Sequence, residues 1–152
     1  MLLLEISGKV SDIETVEKTD KTYKLRFEID NKLYYFVGDY WYTYLPSEQG
    51  NDANRIKCWI LSFHLNTFNG RQRHDVTGSG NAFQVFLHAQ ECLKKFQEDY
   101  PEARTFVFTS DDRELSRMSL YDRMVKYIER MGWKLTNAFI MDGFKTYIYE
   151  KR

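Results

Sequence analysis

Apolar residues recur along this chain with two periods, and the change from one to the other lays out its elements. Tyr23-Lys24-Leu25-Arg26-Phe27-Glu28-Ile29 alternates apolar with polar side chains, the pattern of a half-buried strand. Asp30-Asn31 supplies turn chemistry and Leu33 to Val37 resumes the apolar run, which predicts a hairpin. Ahead of it, Leu2 to Ile6 reads as a short strand and residues 8–20 as a loop or weak strand. Behind it, Gly38 to Gln49 is aromatic and then turn-like, and Ser47 to Asn54 reads as a surface loop. Ile56 to Leu65 is apolar on both faces, as a central strand is.

The period then lengthens. Ala82, Phe86, Ala89, Leu93, Phe96 and Tyr100 fall on one helical stripe, which Pro101 closes. Thr105 to Thr109 reads as a short buried strand. Asp111 and Glu114 have the spacing of a capping box, and Leu120, Tyr121, Met124 and Ile128 lie on the apolar face of the helix it would start. Gly132 stands where a C-cap belongs. Leu135 to Met141, an Asp142-Gly143 turn and Phe144 to Tyr149 predict a closing hairpin. No repeat or domain boundary interrupts the 152 residues, a length suited to one domain. The expected class is α/β with a mixed sheet: an antiparallel β-meander over 1–55, then strand, glycine loop, helix, strand, helix and hairpin over 56–152.

Composition narrows the function. Twenty-two basic and twenty-two acidic residues balance to a net charge of +0, and no long basic run occurs. Binding to nucleic acid by broad electrostatics is therefore not expected. Aromatic residues reach 16%, in keeping with a sheet-rich body and large core or interface side chains. Cys58 and Cys92 sit inside apolar runs without metal-spaced companions, so buried thiols are expected rather than a disulfide or a zinc site. No segment approaches the about 20 apolar residues of a membrane span, and Met1-Leu2-Leu3-Leu4-Glu5 lacks the basic start of a signal peptide. The cytoplasm is the expected compartment, and a membrane is not an expected partner.

Gly78-Ser79-Gly80 directly before a helix is the feature that suggests chemistry. The first amides of a helix lack partners, carry about half a positive charge and can hold a phosphate, while glycine lets the backbone approach it. The bland alternative is a tight turn with an N-cap. A Walker loop would need Gly-Lys-Ser/Thr, and a dinucleotide fingerprint would need a small residue where Phe83 stands. Thr77-Gly78-Ser79-Gly80-Asn81-Ala82 resembles the pyrophosphate loop of GCN5-related N-acetyltransferases at Gly78, Gly80 and Ala82, departing at Thr77 where that family carries Arg or Gln. Ser116-Arg117-Met118-Ser119-Leu120-Tyr121-Asp122 followed by Gly132-Trp133 resembles the same family's second cofactor segment. The wording also resembles short acetyltransferase-like proteins of bacteriophages, which would place it in the host cytoplasm. The first 55 residues do not match.

The resemblance implies acetyl-CoA as cofactor, cradled by Thr77, Gly78, Ser79, Gly80, Asn81 and Ala82 with Arg117 near a phosphate. It implies Tyr121 as the acid that protonates the leaving thiolate, although its place on an apolar helix face also suits a packed core tyrosine. The base would be His64 or Asp75, with His74 a further candidate, each of them equally a structural residue; His88 reads as a partly exposed bystander. Tyr40, Trp41, Tyr42 and Tyr44 read as core and strand edge, or as an exposed patch for a protein partner. Two functions follow: an acetyltransferase-like protein acting on an amine, or a catalytically silent relative that inhibits a host protein or serves in assembly. A nucleotide-binding module is a third.

Overall fold

The computed structural model describes residues 12–44, 55–66, 72–73, 82–111, 115–141 and 143–152. Strands β1 (Glu14–Lys18), β2 (Thr22–Ile29), β3 (Lys32–Tyr44), β4 (Arg55–Asn66) and β5 (Gln72–Arg73) come first. Helix α1 (Ala82–Asp99), β6 (Thr105–Asp111), α2 (Leu115–Arg130), β7 (Trp133–Met141) and β8 (Phe144–Lys151) follow. They form one sheet in the order β1-β2-β3-β4-β6-β8-β7, with β5 on β4. Neighbours are antiparallel except β4 and β6.

Local chemistry explains the meander. β2 buries Tyr23, Leu25, Phe27 and Ile29 in alternation. It turns through Asp30 and Asn31, whose φ values of 51° and 65° are left-handed, a region those two side chains tolerate and two-residue hairpins require. β3 and β4 form a long hairpin, in register from Leu33 opposite Asn66 to Tyr44 opposite Arg55. The stretch from Gly38, read as aromatic and then turn-like, continues as strand to Tyr44. Gly38 itself is needed in that ladder: a Cβ there would come within 2.9 Å of Leu61 and 3.3 Å of Trp59.

The α/β class expected from the sequence is therefore corrected. Strand makes up 55% of the described residues and helix 29%, and a helix-rich acetyltransferase-type layout is not matched. The reason is the length of the β3–β4 hairpin and the scarcity of helical periodicity, which occurs in two places among the described residues. Asp111 ends β6, paired with Phe144; the capping box expected of the Asp111 and Glu114 side chains lies outside the described residues. The helix ends as expected, with Gly132 at φ 100° and its N–H donating to the Glu129 carbonyl.

One large cluster runs from Tyr23 to Tyr149 and contains the buried faces of both helices. Strand alternation puts Trp59, Leu61, Phe63, Phe106 and Phe108 on that helical side. Cys58, Val107 and Ile148 form a smaller cluster on the other side. Along α1 the buried stripe is Val85, Ala89, Cys92 and Phe96, while Phe86, expected in the stripe, is half-buried. His88, expected to be partly exposed, is 1% exposed, stacked on Phe27 at 4.7 Å, with Nδ1 2.7 Å from the Gln84 carbonyl.

Burial holds His88 below its ordinary range, with the Gln84 carbonyl and Glu91 pulling weakly the other way. The fold thus favours neutral His88, a contribution that is complete above the usual histidine value of about 6.5 and is lost as pH falls through it. Melting temperature should drop between about pH 7 and pH 5, and the drop should be smaller in His88→Gln. Calorimetry across that range checks it, and equal slopes would remove His88 from the acid response.

Candidate functional site

The one parallel junction among the described residues defines the site. β4 and β6 pair only at Trp59–Leu61 with Phe106–Phe108. Beyond Leu61, β4 continues along β3, with Phe63 opposite Phe36 and His64 opposite Tyr35. Beyond Phe108, β6 continues along β8, with Thr109 opposite Thr146. The two strands share no ladder there, which opens a split at their carboxyl ends, the place where sheets with parallel strands take their ligands.

Tyr121 enters the split from α2. Its ring lies 4.6 Å from Phe108 at 17°, nearly stacked, and 6.4 Å from Phe63. Its hydroxyl accepts the Phe63 N–H at 3.4 Å, and the residue is fully buried. A side chain from a helix thus receives a bond that a strand would otherwise take. Both helices begin at this end of the sheet. In α1, His88 stacks on Phe27 toward the carboxyl end of β4, whereas Phe96 sits 5.6 Å from Trp59 near its start. In α2, Tyr121 meets Phe108, and Trp133, after the helix, lies 4.7 Å from Phe106. Two helix N-termini therefore lend positive potential to the end where the strands part.

Next to Tyr121, Tyr147 donates its hydroxyl to Asp122 Oδ1 at 2.6 Å, and Lys145 Nζ stands 3.5 Å from the same oxygen. Burial first, then the Asp122 bond and charge, push the Tyr147 phenol well above its ordinary range, so it stays protonated. Tyr149, also fully buried, has a hydroxyl with no hydrogen-bond partner among the described residues. Sequence reasoning missed Tyr147, Lys145 and the role of Asp122. The signal was the β8 alternation, which sets Tyr147 and Tyr149 on the helical face.

The expected site residues are distributed as follows. Ala82 opens α1, and Arg117 lies in the first turn of α2, its side chain outside the described residues. Asp75, Thr77, Gly78, Ser79, Gly80 and Asn81 lie outside the described residues, as does His74. His64 is half-buried, its Nε2 2.7 Å from Ser62 Oγ, on the face opposite the helices. His64 and Tyr121 are therefore not brought together on one face; the split is where the two faces meet.

The aromatic quartet is divided by the same alternation. Tyr40 packs 5.6 Å from Trp59, while Trp41, on the other face, is 59% exposed and meets Tyr42 edge to face at 5.5 Å. Arg55 covers the Tyr42 ring at 4.2 Å. The Tyr44 side chain lies outside the described residues. Both cysteines are buried free thiols, Cys58 pushed up to about 12 by desolvation, which keeps it from serving as a nucleophile. Among the described residues no three His, Cys, Asp or Glu side chains gather to hold a metal. No helix there is long and apolar enough to cross a membrane.

No protein-family model, curated protein or solved structure matches this chain.

Tyr121→Phe keeps the ring volume but strands the Phe63 N–H, and an unsatisfied buried donor costs about 1–3 kcal/mol. The long 3.4 Å bond points to the lower end of that range. Urea unfolding should show the loss as a lower midpoint at unchanged slope; an unaltered midpoint would mean the hydroxyl does not support Phe63.

Proposed function

We propose that the split between β4 and β6 receives a coenzyme A thioester, acetyl-CoA being the simplest, and that the protein passes the acyl group to an amine. One observation carries the reading: the parallel ladder ends at Leu61 and Phe108, with the Tyr121 hydroxyl set at the Phe63 amide. The arm of coenzyme A is a chain of amides, able to lie between strands that have parted. Its pyrophosphate suits an end toward which two helix N-termini point. Thr77, Gly78, Ser79, Gly80, Asn81 and Ala82 are the residues that would cradle it, with Arg117 from α2.

In the reaction the amine nitrogen attacks the thioester carbonyl and the carbon–sulfur bond breaks. Tyr121 protonates the departing thiolate, since a phenol that accepts one bond still carries an O–H. Asp75 takes the proton from the amine, since His64 lies on the sheet face opposite Tyr121. Most of the acceleration comes from holding thioester and amine in line.

A second reading, a binding protein without catalysis, is favoured by the 59% exposure of Trp41 beside Tyr42. An exposed aromatic of this kind is a common anchor for a protein partner.

Acetyl-CoA at about 100 times its dissociation constant should stabilise the fold by about 2.7 kcal/mol, visible as a raised melting temperature. Tyr121→Phe should then lower kcat by about 10²–10⁴ at similar KM. No thermal shift with acetyl-CoA or coenzyme A would remove the cofactor. A shift with turnover unaffected by Tyr121→Phe would leave binding and remove the acid. In the binding reading, Trp41→Ser should weaken partner capture at least tenfold and leave the acetyl-CoA shift as it was.

A further inference from the structure

The end of the sheet opposite the split carries a different feature. Where β4 and β6 begin, an open cleft of about 370 Å³ lies between β3, β4, the β1–β2 turn and the chain linking α1 to β6. This falls within the range of small-molecule sites, about 300–1,000 Å³. Tyr40 and Trp59 contribute its aromatic wall, with Cys58 and Ala103 as further apolar lining. Four charged residues line it in equal numbers of each sign: Asp20 and Glu102, Lys57 and Arg104.

Two of these features are fixed by neighbours. The Lys57 ammonium lies 5.2 Å from the Tyr40 ring centroid and 5.6 Å from that of Tyr42, which holds a positive charge on the aromatic wall. α1 ends beside Glu102: the Tyr100 N–H closes on the Phe96 carbonyl and the Ala103 N–H on the Tyr100 carbonyl. The negative end of the helix dipole thus adds to the two carboxylates of the lining. A ligand carrying only negative charge would meet two carboxylates and a helix C-terminus. One carrying only positive charge would meet Lys57 and Arg104.

The geometry points to a second ligand site here, for a small zwitterion with a flat apolar body, of the aromatic α-amino acid class. Its ring packs against Tyr40 and Trp59. Its ammonium faces Glu102, Asp20 and the end of α1, and its carboxylate faces Lys57 and Arg104. The site is independent of the split, being formed by the opposite ends of the same strands.

Titration of the isotope-labelled full chain with phenylalanine, followed by amide NMR, tests this. Three comparison probes separate the contributions: phenylalaninamide lacks the carboxylate, N-acetylphenylalanine lacks the ammonium, and glycine lacks the ring. Phenylalanine should saturate, with shifts at residues 20, 40, 57–59 and 102–105, and each comparison probe should bind about fivefold or more weakly. In Lys57→Met the preference for phenylalanine over its amide should shrink, and in Glu102→Gln the preference over the N-acetyl form. The probe series on the unaltered chain decides the matter even if a variant folds poorly. Absence of shifts at these residues up to tens of millimolar, or equal binding of all four probes, would overturn the site.

Discussion

Everything in this molecule turns on a parallel contact three residues long. Among the described residues, Trp59–Leu61 and Phe106–Phe108 are the only parallel rungs in a sheet otherwise built from antiparallel neighbours. Parallel neighbours cannot be joined by a tight turn, so the chain must cross over, and α1 is that crossover. Because the crossover returns to the starting end of the sheet, α1 runs against β4, and α2 likewise runs against β6. The short ladder then frees both strands to follow their antiparallel partners, β3 and β8, which leaves the split.

Where the two strands part, the space between them is occupied by buried aromatic rings. Phe63, Phe108 and Tyr121 form the wedge, and Tyr147 closes it from β8 at 5.9 Å from Tyr121. Large rings span a wide gap with few rotatable bonds, so they fix a separation that aliphatic side chains would let collapse. Their hydroxyls must then be satisfied in the interior. Tyr121 meets an amide and Tyr147 meets Asp122, while Tyr149 has no hydrogen-bond partner among the described residues. Two satisfied phenols and one unsatisfied one, side by side, mark the place where packing has taken precedence over hydrogen bonding.

Much of the element list was legible in the sequence, because periodicity is a local property. The Tyr23–Ile29 alternation, the Asp30-Asn31 turn and the Gly132 stop are each written in a few adjacent residues. The class was not legible. Tyr40-Trp41-Tyr42 suits a strand or a turn-flanking loop equally, and its pairing with Lys57, Cys58 and Trp59 is a long-range choice. That choice makes the hairpin long and the protein strand-rich. His88 was misread because a lone polar residue in a helix looks solvent-facing until the strand beneath it, with Phe27, is known. Of the candidate site, Tyr121 was singled out by the resemblance of its segment to a family motif, while its helical position read as core. Its contact with Phe63 was not legible, since the two are 58 residues apart.

Polarity follows from the same parallel rungs. With both helices running against the strands they cover, their positive ends gather where β4 and β6 part and their negative ends where those strands begin. The two ends therefore differ electrostatically before any side chain is considered. At the diverging end Lys145 is paired with Asp122, and the helix dipoles add positive potential there. At the other end, Asp20 and Glu102 line a cleft together with Lys57 and Arg104, and the C-terminus of α1 adds negative potential beside Glu102. The proposed phosphate at the first end and the proposed zwitterion at the second both draw on that one strand orientation, which an all-antiparallel sheet would not provide.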